Sequence, residues 1–170
     1  MIPGFTAPAS LERQAYWSFR SYLLKMGFSI YPREFDCAGS EHPFVDLAAK
    51  MGAFYWAFEY KSETDSISRG LEQIRCYSQW FDYVVLVTER ILDHGRSGLF
   101  WDLKSVGAGI WNYFPGSQKC IHQVNPILQE PEPGNRKHVG IRFRNLEKPR
   151  KRKTGSVLID DGQQHICRFV

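Results

Sequence analysis

The stretch Phe44 to Lys61, FVDLAAKMGAFYWAFEYK, leaves little choice of local structure. Two runs of strand-forming residues flank Gly52-Ala53, and a two-residue turn there, with Gly52 supplying the positive φ that such turns need, folds one run back on the other. This register sets Met51 opposite Phe54, Asp46 opposite Glu59 and Lys61 opposite Phe44. Side chains alternate along a strand, so Phe44, Asp46, Ala48, Ala57, Glu59 and Lys61 share one face. Val45, Leu47, Ala49, Phe54, Trp56 and Phe58 share the other, and that apolar face is the one expected to be buried. Two carboxylates set directly across a ladder repel each other, and the arrangement persists best when a cation bridges them. Oxygen-only ligands favour Mg²⁺ or Mn²⁺ over zinc. Lys61, on the same face, adds a positive charge able to hold a phosphate oxygen or steady a metal-bound hydroxide.

The flanking chain reads as α/β. From Ser10 to Met26 the residues Leu11, Ala15, Phe19, Leu23 and Met26 recur at helical spacing, and Gly27 marks the stop. Phe28 to Asp36 predicts a first strand with an irregularity at Pro32, and Cys37 to Pro43 a loop. After Lys61, Asp65 or Ser66 caps a helix running to about Trp80. Ile67, Leu71, Ile74 and Ser78 are its sheet-facing side, while Arg69, Gln73 and Tyr77 form a neighbouring stripe. Phe81 to Thr88 is a near-continuous apolar run, as expected of a central parallel strand reached by a helical crossover. A helix over Leu99–Val106 and strands over Gly109–Phe114 and Lys119–Val124 complete the body. Gly107-Ala108-Gly109 lacks the third glycine and the preceding strand of a dinucleotide loop.

Asp46 followed by Glu59-Tyr60-Lys61, with a hairpin before and a helix after, resembles the signature of the PD-(D/E)XK nuclease superfamily. Val45 stands where the namesake Pro is often found. The resemblance covers residues 10 to about 128 and implies a restriction-endonuclease-like core: a mixed sheet of four to five strands with helices on both faces. It also implies a Mg²⁺-dependent hydrolysis of DNA phosphodiester bonds, with Mn²⁺ as substitute and endonuclease action the favoured mode. Asp46, Glu59 and the backbone carbonyl of Tyr60 would hold the metal, and Lys61 would act on the attacking water. Glu12, in the first helix, resembles the acidic residue that many members add to the site, and Glu34 is a rival for that role. Both also have bland readings, as a carboxylate favoured at a helix N-terminus and as a solvated strand residue. Gln73-x3-Tyr77 resembles a substrate-contacting motif of the recombination and phage exonuclease branches, with Arg69 one turn before it. The alternatives are an RNA endonuclease and an inactive nucleic-acid-binding or assembly module on the same fold.

The charge is unevenly placed. Residues 1–130 carry −2 and residues 131–170 carry +6, within a total of +4. Pro126, Pro131, Pro133 and Gly134 mark a boundary, giving a nuclease-like domain over 1–128 and a basic appendage over 129–170. Arg142 and Arg144 alternate with Ile141 and Phe143, which predicts a strand. Val157–Ile159 and His165–Val170 could pair around Asp160-Asp161-Gly162. With Lys148, Arg150, Lys151, Arg152 and Lys153, the arginines suit phosphate contacts and a salt-sensitive affinity. A solvated linker is the alternative. Cys37, Cys76, Cys120 and Cys167 lack zinc-site spacing and read as reduced thiols. No run approaches a membrane span and Met1 to Phe5 lacks an export signal, so the expected location is intracellular, cytoplasmic or nucleoid-associated. The sequence leaves a homodimer or a larger nucleic-acid-processing complex open.

Overall fold

The computed structural model describes residues 11–42, 44–93, 95 and 98–147, with side chains from Gln14 onward. Its elements in chain order are α1 (Leu11–Lys25), β1 (Ser29–Ile30), β2 (Phe35–Asp36), β3 (Phe44–Val45), β4 (Leu47–Met51), β5 (Phe54–Lys61), α2 (Ile67–Tyr77), β6 (Tyr83–Thr88), α3 (Gly98–Ser105), β7 (Gly109–Phe114), β8 (Lys119–Val124) and α4 (Pro133–Glu147). The main sheet is mixed and has six strands in the order β1-β4-β5-β6-β7-β8, one more than the upper expectation. The two-residue β1 forms the edge beside β4. β5, β6 and β7 run parallel to one another, and the remaining neighbours are antiparallel.

The hairpin forms as its turn dictates. Gly52 has φ of 59°, and the ladder runs from Met51↔Phe54 to Leu47↔Phe58. It then stops. Phe44 and Val45 leave the sheet and pair with Asp36 and Phe35, so β3 forms a separate two-stranded ribbon with β2. Lys61 therefore does not face Phe44 across a ladder, and Asp46 sits at the bend between the two strands. The segment 28–36, expected as one strand, is likewise divided into β1 and β2 around Pro32, because proline cannot donate to a ladder.

Both faces of the sheet are covered. On one side Ala15, Phe19 and Leu23 of α1 pack with Phe28, Phe58, Tyr60, Val85, Val87, Trp111 and Tyr113. On the other, α2, α3 and α4 bring Leu71, Ile74, Leu103, Val139 and Phe143 against Ala48, Ala57, Val84, Leu86 and Ile110. The face carrying Glu59 and Lys61, expected to be the open one, is thus buried beneath α2. β6 is buried on both sides, in keeping with its continuous apolar run.

Residues 133–147 are helical where a strand was expected over Val139 to Arg144. The alternation of Ile141, Arg142, Phe143 and Arg144 suits either period. The residues buried are Val139, Gly140 and Phe143, at helical spacing, against Tyr31, Phe35 and Tyr55. Lys148, Arg150, Lys151, Arg152, Lys153 and the expected pair of strands over 157–170 lie outside the described residues. Among the described residues, no helix is long and apolar enough to cross a membrane.

Asp82, 3% exposed at the start of β6, ties α4 to the hairpin. Its Oδ1 accepts from Arg136 Nε at 2.6 Å and its Oδ2 from the Tyr55 amide at 2.8 Å. Arg136→Ala leaves this carboxylate buried with the amide as its main donor. The expected loss is about 2 kcal/mol, below the full cost of breaking a buried pair because the guanidinium is half-exposed. Urea unfolding measures it, and a loss under about 0.5 kcal/mol would show that solvent already supports Asp82.

Candidate active site

Asp46, Glu59, Lys61 and Gln73 come together at the C-terminal end of β5. Glu59 is 1% exposed and Lys61 8%. Lys61 Nζ donates to Glu59 Oε1 at 2.6 Å and to Gln73 Oε1 at 2.8 Å. Tyr77 Oη donates to the Phe44 carbonyl at 2.6 Å and reaches Glu59 Oε2 at 3.2 Å, while Gln73 Nε2 donates to Tyr77 Oη at 3.3 Å. Asp46 Oδ2 accepts from the Tyr60 amide at 2.9 Å. The ladder position next to Leu47↔Phe58 is thus filled by a side chain, which occupies the edge that β3 vacates.

Local sequence explains this placement. Ser66 caps α2 by accepting from the Arg69 amide, which starts the helix so that Gln73 and Tyr77 turn inward, one turn apart. Gly70 lets α2 lie close: a Cβ there would come within 2.8 Å of Leu86 Cδ1 and 3.3 Å of Lys61 Cε. The lysine stem therefore runs under a glycine, and its ammonium emerges between Glu59 and Gln73. Arg69 does not share this inward direction and is exposed. Tyr77, expected at the surface as a nucleic-acid contact, is fully buried and serves Glu59.

Electrostatics at the site are dominated by burial. Glu59 is raised from the usual carboxylate range to about 7, chiefly by burial and next by the neighbouring Asp46, with Lys61 and Tyr77 opposing both. Asp46 is also raised, first by burial and then by Glu34 and Asp65, against the Tyr60 amide and Lys61. Glu34 is exposed on the turn before β2, yet its charge acts on Asp46. Glu12 lies in the first turn of α1, and its side chain lies outside those described. A residue not singled out in the sequence, Tyr16, donates to the Asp46 carbonyl at 2.9 Å and so ties α1 to the bend. Its only sequence signal was a polar group on the sheet-facing side of α1.

The donor set suits a hard divalent cation. Asp46 is close enough to Glu59 to raise its pKa, and an ionised carboxylate oxygen has lone pairs beyond those that Lys61, Tyr77 and Tyr60 engage. The N–H and C=O of one residue in an extended strand point to the same edge. The Tyr60 carbonyl therefore faces the Asp46 side, while that of Lys61 accepts from Glu89 on the β6 side. Among the described residues no three His, Cys, Asp or Glu side chains form a metal-holding group, so the set is two carboxylates and a carbonyl.

Arg142 and Arg144 lie on α4. Arg142 Nε donates to Tyr31 Oη at 3.0 Å, and Arg144 is exposed. The three described cysteines are free thiols.

No family model and no curated protein matches this chain. Among solved structures, the chain is similar to SPO1766, a protein of unknown function from Silicibacter pomeroyi, with a TM-score of 0.59 and 15% identity, over 83% of this chain and 88% of that one. It is also similar to an XisH family protein from Nostoc punctiforme, with a TM-score of 0.48 and 15% identity, over 66% of this chain and 99% of that one. The first likeness shows a shared fold.

Proposed function

We propose that this chain is a Mg²⁺-dependent nuclease of the PD-(D/E)XK type, built on a restriction-endonuclease-like core and hydrolysing phosphodiester bonds in DNA as an endonuclease. The observation that supports this most is the hydrogen-bonded group of Glu59, Lys61 and Gln73 at a strand end, with the Asp46 carboxylate held beside it by the Tyr60 amide. Asp46, Glu59 and the Tyr60 carbonyl are the residues that would hold Mg²⁺, or Mn²⁺ in its place. When bound, the cation supplies charge stabilisation at the phosphate and a lowered pKa for water. Lys61 positions that water and offsets phosphate charge, and Gln73 fixes the direction of its ammonium. Tyr77 orients Glu59 from the opposite side. Glu34 and Glu12 are the candidates for a further carboxylate. Arg69, Arg142, Arg144, Lys148, Arg150, Lys151, Arg152 and Lys153 are the candidates for gripping the nucleic-acid backbone.

The test is incubation of the protein with supercoiled plasmid, linear duplex, single-stranded DNA and RNA, each with Mg²⁺, Mn²⁺ or EDTA. The expected result is cutting that needs the divalent cation, with nicked circles marking an endonuclease. Cutting confined to RNA moves the substrate to the alternative class. The engagement of both Glu59 oxygens by Lys61 and Tyr77, and the absence of a metal-holding group of three side chains among the described residues, favour a second reading, an inactive nucleic-acid-binding module. Salt-sensitive binding without cutting under any metal would replace the first reading with that one.

A further inference from the structure

We propose that the pocket between the β2–β3 ribbon and α4 is a nucleobase site for an unpaired nucleotide beside the carboxylate pair. This rests on the nucleic-acid reading above and adds its substrate class: single strands, overhangs or frayed ends in preference to blunt duplex. The pocket, about 500 Å³, is lined by Arg33, Glu34, Asp36, Phe44 and Arg142. It adjoins the site through Phe44, whose carbonyl accepts from Tyr77, and through Glu34, whose charge acts on Asp46.

Its chemistry is that of a base and not of a phosphate backbone. Phe44 is 56% exposed, a large aromatic ring left uncovered because β3 has peeled away from the sheet. Arg142 faces the rings of Tyr31 and Phe35, each at 5.7 Å, with Nε bonded to Tyr31 Oη. Among the described residues these are its only partners, so both Nη groups are left for a ligand. Aromatic rings and guanidinium planes are the two surfaces on which unpaired bases stack. A groove that only tracked phosphates would be uniformly cationic, whereas this one carries Glu34 and Asp36. Carboxylates repel phosphate but accept from exocyclic amines, as on cytosine N4. Arg33 supplies the positive charge for the flanking phosphate. A duplex keeps its base faces stacked internally and cannot enter.

The test is fluorescence anisotropy in EDTA, without turnover, using labelled oligo-dC, oligo-dT and a blunt duplex of the same length. The wild type is expected to bind single strands more tightly than the duplex, and dC more tightly than dT. Phe44→Ala should weaken single-strand binding by about tenfold or more and leave duplex binding within about twofold, as base–aromatic stacking requires. Phe44→Trp should retain single-strand binding. The Phe44 side chain is largely exposed and Tyr77 uses only its carbonyl, so truncation spares the fold. Glu34→Gln with Asp36→Asn should remove the preference for dC. A wild-type preference for blunt duplex, or an equal effect of Phe44→Ala on both substrates, would overturn the proposal. Metal-dependent plasmid cutting alongside an inert Phe44 would retain the nuclease reading and remove this one. The reverse pattern would keep the base site and remove the nuclease.

Discussion

Lys61→Ala is expected to lower the rate of DNA cleavage by about 10²- to 10⁴-fold, the range for losing one positioned catalytic donor. Nucleic-acid affinity should stay within about threefold, because one buried ammonium contributes little to a salt-dependent backbone interaction. The geometry gives the reason. Lys61 is held by Glu59 and Gln73 at the strand end, its stem confined beneath Gly70. Truncation also removes packing, so Lys61→Met is the informative partner. It keeps the stem against α2 and removes only the charge. Single-turnover cleavage and anisotropy on both variants separate chemistry from binding. If both variants cleave at the wild-type rate, Lys61 has no part in the reaction.

The second large effect concerns pH and the cation together. Glu59 has an unperturbed value of 4.5 and is raised to about 7 in the fold, chiefly by burial and next by Asp46. A carboxyl raised on folding binds its proton more tightly in the native state. Its contribution is fully present below the unfolded value and is lost as pH climbs through the folded one. Between about pH 5 and about pH 8 the metal-free protein should therefore lose about 2–3 kcal/mol through this group. Asp46, raised for the same first reason, acts in the same direction. Denaturant unfolding of the wild type against Glu59→Gln isolates the effect, since other titrating groups largely cancel in the difference. A divalent cation competes with the proton for Glu59, so added Mg²⁺ or Mn²⁺ should raise the melting temperature far more at the upper pH than at the lower. The shift should vanish in Glu59→Gln. A cation shift independent of pH, or equal in the variant, would detach the metal from this carboxylate.

Much of the body was legible because short-range chemistry dictated it. The two-residue turn at Gly52-Ala53 fixed which residues of β4 and β5 meet. The uninterrupted apolar run fixed β6 as a strand covered on both faces, and Pro115-Gly116-Ser117 separated β7 from β8 at the positions expected. Asp46, Glu59, Lys61 and Gln73 stood out because a hairpin carries the first three and a helix follows with the fourth, the context of the motif they resemble.

What escaped the sequence were choices between partners of similar local merit. Nothing in Phe44-Val45 says that they pair with β2 in place of β5. That follows from Val45 burying its side chain beside Phe35 and from the Asp46 carboxylate taking the Tyr60 amide. The covering of the Glu59 face depended on Gly70 allowing α2 to close over it, a contact visible only once Leu86 and Lys61 are in place. Arg142 read as a strand residue because alternation over four residues fits two periods; burial of Val139 and Phe143 against Tyr31 and Phe35 selected the helix. By itself, the sequence determined the turn, the strand periods and the chemical inventory of the site. Only tertiary packing decided which edge Asp46 occupies, how dry Glu59 is and therefore how strongly it holds a proton, because desolvation is a property of everything that surrounds a group and not of its neighbours in the chain.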